Sequence, residues 1–165
     1  MSRRAILIAA AALAAALALG VVLWRSRPAP TDAERIRALF EKAARAVEEK
    51  RVGEAVEAVS ERFRGDGLDK RGVKQVIAAH VLRGEWVSVS VSWMQVRVGG
   101  DSAEAVVNVV LARSGKGARL ADLLPANAAA YRFDFRLERE EGEWRVVGAE
   151  RRPISLAEAV AGPPP

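Results

Sequence analysis

The chain has 165 residues, contains no cysteine, and carries 26 Lys and Arg against 21 Asp and Glu, for a net charge of +5. Four of the basic residues lie within residues 1–30, where there is no acid, so the rest of the chain carries 22 basic and 21 acidic side chains. A nucleic-acid interface needs a local excess of Lys and Arg, so we expect no nucleic-acid partner. The missing cysteine excludes disulfides, thiolate metal ligands and cysteine nucleophiles. After residue 30 the length fits one soluble domain.

Residues 5–24 form a run of 20 residues in which Gly20 alone is not apolar. A helix of this length spans about 30 Å, the thickness of the hydrocarbon core of a bilayer. A cleaved signal peptide usually has an apolar stretch of about 7 to 15 residues, so we favour an uncleaved signal anchor over 1–25. Arginines closely follow the run, as at a membrane interface. Its apolar side chains include Ala5, Leu13, Leu23 and Trp24.

The anchor predicts a single-pass protein of the inner, cytoplasmic membrane, with the lipid bilayer as a partner and an extracytoplasmic C-terminal domain. Two arginines flank the run on each side, and only the free N-terminal amine favours a cytoplasmic N-terminus. Cleavage after the small-residue motif at 16–18 would instead give a secreted or periplasmic protein. The preference for Arg over Lys and the many alanines suggest a GC-rich bacterial genome.

Three amphipathic helices are predicted after a Pro-containing linker at 26–31. The first covers 32–50 and begins with the capping-box pair Thr31 and Glu34. The second ends at Gly65 and Gly67, and Asp69 caps the third. The apolar stripes of the second and third helices are Val52, Val56, Val59 and Phe63, and Val73, Val76, Ile77, His80 and Val81.

Four strands are predicted from residue 87 onward, because the apolar period changes from 3.6 to 2. The first strand alternates Val and Ser up to Trp93, after which the apolar phase slips by one residue, which predicts a β-bulge. A hairpin at 99–101 leads into a central strand, 103–112, and an irregular connection covers 113–127. The third strand, from Tyr131, has an inward aromatic face and a charged face predicted to be solvated, with Arg132, Asp134, Arg136 and Glu138. The fourth covers 144–152.

This order of elements predicts an α+β domain over 32–153, in which three helices pack on a curved, bulged, four-stranded antiparallel sheet, followed by a flexible tail at 154–165. Three segments, VSERFR (59–64), VGGDSAEAV (98–106) and EGEWRVV (141–147), resemble the nuclear transport factor 2-like, or ketosteroid isomerase-like, superfamily of cystatin-like fold. The resemblance implies a conical fold with a pocket at its open end. Some members are enzymes and others are binding modules, so the fold does not select a function.

An enzyme of the ketosteroid isomerase kind needs an inward carboxylate as a base and a donor for the oxyanion. No predicted strand turns a carboxylate inward, and no residue matches the acid and base of the enzymatic relatives. We therefore predict no catalytic residue, no metal site and no cofactor. His80, the single histidine, remains a pocket candidate together with Tyr131 and Trp93, although a core position is the commoner role for such residues.

Two functions follow from these observations. The first is a non-catalytic module, behind the membrane anchor, that binds an apolar small ligand or an unknown protein partner. The second is a small pocket enzyme with isomerase-like or dehydratase-like acid–base chemistry on a hydrophobic small molecule. A homodimer through the sheet face is a further hypothesis, because Val106 and Val110 add apolar side chains to that face.

Overall fold

The structure, a computed structural model, describes residues 29–83, 88–112 and 128–162. The helices are α1 (Asp32–Glu48), α2 (Val52–Ala55), α3 (Lys70–Leu82) and α4 (Leu156–Ala161), and the strands are β1 (Val59–Arg64), β2 (Ser88–Gly99), β3 (Ser102–Ala112), β4 (Ala128–Glu140) and β5 (Glu143–Ile154). The predicted anchor at 1–25 lies outside the described residues. Within the described ranges, every helix is too short or too polar to cross a membrane.

The strands form one sheet in the order β1-β5-β4-β3-β2, so the prediction of four strands is wrong by one. The extra strand, β1, pairs in parallel with β5, while the other neighbours are antiparallel. The sequence pattern places its residues Val59 and Phe63 in the second helix, but that helix ends at Ala55. Their spacing of four fits a helix, but the free edge of β5 offers backbone partners, and Val and Phe favour a strand.

The predicted bulge in β2 is confirmed. Val91 pairs with Val109, and the next pair is Trp93 with Asn108, so one extra residue, Ser92, is inserted in β2. Such an insertion bends the strand and reverses the faces to which the following side chains point.

One face of the sheet, here called the inner face, is covered by α1. This face and the helix share a core in which Ile36 is fully buried and Leu137 is 1% exposed. Asp69 accepts a hydrogen bond from the Gly72 N–H at 2.7 Å and begins α3 as predicted. The buried members of the core are Ile36, Phe40, Phe63, Ala103, Ala105, Val107, Leu137, Trp144 and Val146.

The opposite, outer face is covered in part by α4, in contrast to the flexible tail expected at 154–165. Ser155 and Glu158 form a capping box, with the Ser155 hydroxyl accepting from the Glu158 N–H at 3.1 Å. The Ser155 N–H and hydroxyl in turn hold the pKa of the Glu158 carboxyl below its usual value. Ala159 is fully buried against Val110 and Ala130, so Val110 is not available to a second copy of the chain.

Candidate functional site

The inner face has two ends that differ in structure. At the closed end lie the hairpin turns at 99–102 and 140–143 and the first residue of α1, Asp32. At the open end, β2 and β4 begin, β3 and β5 end, and α1 finishes at Glu48.

A row of aromatic rings runs along β4 from the buried core toward the open end. Phe40 of α1 contacts Phe135, with ring centroids 4.6 Å apart, and Phe135 stacks on Phe133 at 5.4 Å. Tyr131 follows, 6.4 Å from Phe133. These three β4 side chains are half-buried, so the row leaves apolar surface accessible on the inner face.

The closed end is sealed by a hydrogen-bonded cluster. Arg139 lies over the Trp144 ring, 4.5 Å from its centroid, and its Nη2 donates to Asp32 Oδ2 at 2.8 Å. The Trp144 indole N–H donates to the other carboxylate oxygen at 3.2 Å. These two donors, the indole first, hold the pKa of the Asp32 carboxyl below its usual value. The cluster ties the start of α1 to β4 and β5.

The open end carries a similar cation–aromatic pair without a carboxylate. The Arg151 guanidinium lies over the Tyr131 ring, 5.3 Å from its centroid. Across the described part of the chain, neither the guanidinium nor the Tyr131 hydroxyl makes a hydrogen bond or an ion pair with another residue. Arg151 is exposed and Tyr131 is half-buried, so both groups face water at the mouth of the apolar surface.

Carboxylates are excluded from the inner side of the long strands. In the described residues of β2 to β5, the register places every Asp and Glu side chain on the outer face. The end of α1 contributes Glu48, whose Oε1 accepts from the Val89 N–H at 2.8 Å and from the Ser88 hydroxyl at 3.3 Å. This carboxylate therefore serves to attach α1 to β2.

The pocket candidates from the sequence lie in three different places. Tyr131 is at the open end of the inner face, as expected from its strand phase. His80 is half-buried in the last turn of α3, which packs against β1. Trp93 pairs with Asn108 on the outer face, where its indole lies against Gly162, so it is separated from Tyr131 by the sheet.

Arg151 is the site residue that sequence reasoning missed. Alternation from Trp144 and Val146 would turn Glu150 inward and Arg151 outward. Instead, Leu137 pairs with Val146 and Arg136 with Gly148, which leaves Val147 as a bulge and turns Arg151 inward. Two adjacent valines fit either strand phase, so the sequence carries no signal for this bulge.

A buried polar pair supports the open end from the outer face, which corrects the expectation that Arg132 is solvated. Arg132 is 6% exposed and its Nε donates to Asn108 Oδ1 at 3.0 Å. The Asn108 amide in turn donates to the Glu158 and Ala159 carbonyls of α4, at 3.2 and 3.3 Å. The Ser92 hydroxyl also donates to Ala159, at 2.7 Å. These bonds give the Ala159 carbonyl its donors at the end of α4 and add a second donor to the Glu158 carbonyl, which also accepts from the Gly162 N–H at 3.1 Å.

A wide groove of about 1290 Å³ lies outside the sheet's inner face, between α1, β1 and the β4–β5 turn. Its charged side chains pair with one another, as in Lys42 with Glu57 at 2.8 Å and Arg62 with Glu140 at 2.6 Å. The lining contains six acidic and five basic side chains, so the groove offers a ligand little excess of either charge. No group of three potential metal ligands occurs in the described ranges.

Comparison with known proteins gave matches only among solved structures, since no family model and no curated protein matches the chain. An uncharacterized protein with a cystatin-like fold from Caulobacter vibrioides has a TM-score of 0.59 and 16% identity, over 79% of this chain and 95% of that one. A nuclear transport factor 2-like protein of unknown function from Pseudomonas putida has a TM-score of 0.59 and 14% identity, over 78% and 92%.

An enzyme is also among the similar structures. The hexachlorocyclohexane dehydrochlorinase LinA-type3 from Novosphingobium barchaimii has a TM-score of 0.54 and 15% identity, over 73% of this chain and 85% of that one. At these identities the likeness concerns the fold alone. The described domain thus has the α+β, cystatin-like fold of nuclear transport factor 2-like proteins.

Proposed function

We propose that this chain is a membrane-anchored, extracytoplasmic binding module that accepts an apolar small molecule at the open end of its inner face. The proposal assigns no catalytic step to the domain. Its anchor is the apolar run at 5–24, and its binding surface is the aromatic row of Tyr131, Phe133 and Phe135.

The observation that carries this proposal is the half-buried aromatic row beside strands that turn no carboxylate inward. Aromatic side chains that remain partly accessible are typical of the lining of small-molecule sites. An acid–base enzyme of the ketosteroid isomerase kind would need an inward carboxylate, and the described strands β2 to β5 supply none.

Binding is tested with the full chain in lipid nanodiscs and an uncharged probe, 4-phenyl-1-butanol, followed by saturation-transfer NMR. Empty nanodiscs correct for partition of the probe into lipid. We expect saturation transfer to the probe. Phe133→Ser should weaken this transfer, because loss of the phenyl ring removes apolar surface from the row. Val98→Ser, at the other end of the sheet, is the matched control. No transfer above that of empty nanodiscs would contradict the binding module.

The anchor is tested by membrane fractionation of the full chain and by protease treatment of intact cells and spheroplasts. We expect the chain in the membrane fraction, with the domain digested only after the outer layer is opened. Leu13→Arg places a charge near the middle of the run and should release or destabilise the chain, since such a charge costs about 3 kcal/mol at a helix centre. Leu23→Arg, near the end, should be tolerated because the side chain can reach the interface. Recovery of the wild type in the soluble cytosolic fraction would contradict the anchor.

A second candidate function is a pocket enzyme with acid–base chemistry on a hydrophobic small molecule, favoured by the likeness to a dehydrochlorinase. His80 and Tyr131 are the residues that would take part. An activity found with such substrates should fall in His80→Ala and Tyr131→Phe, and an activity unchanged in both variants would contradict this version.

If the chain acts as a protein-interaction module, we propose a homodimer through the outer face, with Val106 as its apolar contact. Sedimentation equilibrium of the full chain should then show a dimer that Val106→Arg dissociates. A monomer at all concentrations would contradict it.

A further inference from the structure

We infer that the open end binds the carboxylate group of an amphipathic small molecule. Arg151 and Tyr131 donate to the carboxylate, and the aromatic row holds the apolar body. This inference rests on the proposed function and adds the chemical class of the ligand.

The closed end provides an example of such a site within the same sheet. There Arg139 lies over Trp144, and the guanidinium and the indole N–H donate to the two oxygens of one carboxylate, that of Asp32. At the open end, Arg151 lies over Tyr131, and the phenol hydroxyl takes the place of the indole N–H as second donor. A guanidinium and a second donor are thus present at both ends, and at the open end the described residues place no carboxylate against them.

No carboxylate of the described chain supplies this missing charge. Arg151 forms no ion pair there, and the acids nearest on the paired strands, Asp134 and Glu150, lie on the outer face. Glu48 is bonded to β2, and β2 is separated from β5 by β4 and β3. Three strand spacings correspond to about 14 Å along the sheet, beyond the reach of an ion pair.

The surroundings of Arg151 favour an amphipathic ligand over a simple anion. Phe133 is the cross-strand partner of Arg151, and Phe133 and Phe135 continue the apolar surface away from the cation. One guanidinium and one hydroxyl match the two oxygens of a carboxylate, and charge-assisted hydrogen bonds of this kind fix the orientation of a ligand. An apolar body with a terminal carboxylate would therefore bind with its charge at the mouth and its body along the row.

The test compares two probes of equal shape on the full chain in nanodiscs: 4-phenylbutyrate and 4-phenyl-1-butanol. We expect the carboxylate to bind about tenfold more tightly, since a charge-assisted pair at a partly exposed site contributes about this factor. Arg151→Ala should reduce its affinity to that of the alcohol and leave the alcohol unaffected. Tyr131→Phe should reduce it by about fivefold, the effect of one neutral hydrogen bond. Arg152→Ala, one residue further on the outer face, should change nothing.

Each outcome decides between the inference and the proposed function. Equal affinity for the two probes, or an Arg151→Ala variant that still prefers the carboxylate, overturns the carboxylate site and leaves the apolar binding surface in place. Failure of both probes to bind overturns the inference together with the binding module. Loss of binding in Arg152→Ala as well as Arg151→Ala would show a general effect of surface charge and also overturns the inference.

Discussion

Both ends of the inner face carry an arginine over an aromatic ring, but only the closed end also has a carboxylate among the described residues. At the closed end, a cation, an aromatic ring and a carboxylate are joined, and they fasten α1 to the sheet. At the open end, the cation and the ring are present and the carboxylate is absent from the described residues. The comparison indicates that such an arrangement fastens the fold where its charges are satisfied within the chain, and our proposal assigns the incomplete arrangement to binding.

The ends also differ in what covers them. α1 covers the inner face at the closed end, where Ala105 and Val107 are each 1% exposed. At the open end, the support comes from the outer face. There Asn108 and Arg132 are buried, and the Asn108 amide donates to α4, on the side of the sheet opposite to Tyr131 and Phe133. The strands at the open end are thus supported on their outer face, and their side chains on the inner face remain partly accessible.

The largest difference is expected for core packing, in a matched pair on β3. Val107 is 1% exposed, whereas Val109, two residues further toward the open end, is half-buried. Val107→Ala should lower the free energy of unfolding by about 2 to 3 kcal/mol, the transfer of two methyl groups plus a cavity, and Val109→Ala by about 1 kcal/mol. Urea denaturation measures both. Equal losses would show that the open end is packed as tightly as the closed end.

The next effect concerns the support of the open end. Asn108→Ala leaves the buried Arg132 Nε without its acceptor and removes two hydrogen bonds to α4, whose carbonyls keep the Gly162 N–H and the Ser92 hydroxyl as donors. We therefore expect a loss of about 1 to 3 kcal/mol in the free energy of unfolding. Hydrogen exchange should quicken in α4 and at the start of β4, and stay slow at the closed end. Gln95→Ala, an exposed change on the outer face of β2, is the control and should have little effect. Uniform quickening throughout the sheet would contradict a local role.

A smaller effect is expected from the carboxylate of the closed end. Because the pKa of Asp32 is lowered in the folded state, its contribution to stability is full above its usual pKa of 3.8 and is lost as the pH falls below that value through the lowered pKa. The denaturation midpoint of the wild type should therefore be higher than that of Asp32→Asn at pH 6, and the difference between the two midpoints should disappear in acid. Asp134→Asn is the matched control, since Asp134 is exposed and forms no ion pair with another described residue. A gap independent of pH would contradict the charged pair.

The smallest effect on stability is expected at the open end. Arg151→Ala removes an exposed cation–aromatic contact and should cost less than about 1 kcal/mol. Arg139→Ala removes a similar contact, with Trp144, together with the bonds to Asp32 and Asp101, and should cost more. Thermal denaturation of the two variants measures the difference. An Arg151→Ala variant as unstable as Arg139→Ala would assign Arg151 to the fold and not to binding.

Several parts of the fold could be predicted because local sequence decides them. The change of period at β2, the aromatic face of β4 and the cap of α3 at Asp69 depend on residues close together in the chain. The bulge in β2 could also be predicted, because the apolar side chains alternate with serines up to Trp93 and their phase then slips by one residue. The start of α4 is local as well, since Ser155 and Glu158 have the spacing of a capping box.

The sequence by itself determined the apolar run at 5–24, the α+β class and the aromatic row that ends at Tyr131. The tertiary structure alone decided that Val59 joins a strand, that Arg132 is buried and that Arg151 turns inward. Each of these depends on a partner distant in the chain: the free edge of β5, the cover provided by α4, and the pairing of Val146 with Leu137. Residue patterns report local periodicity, whereas the face and the burial of a charged side chain depend on which strand or helix packs beside it.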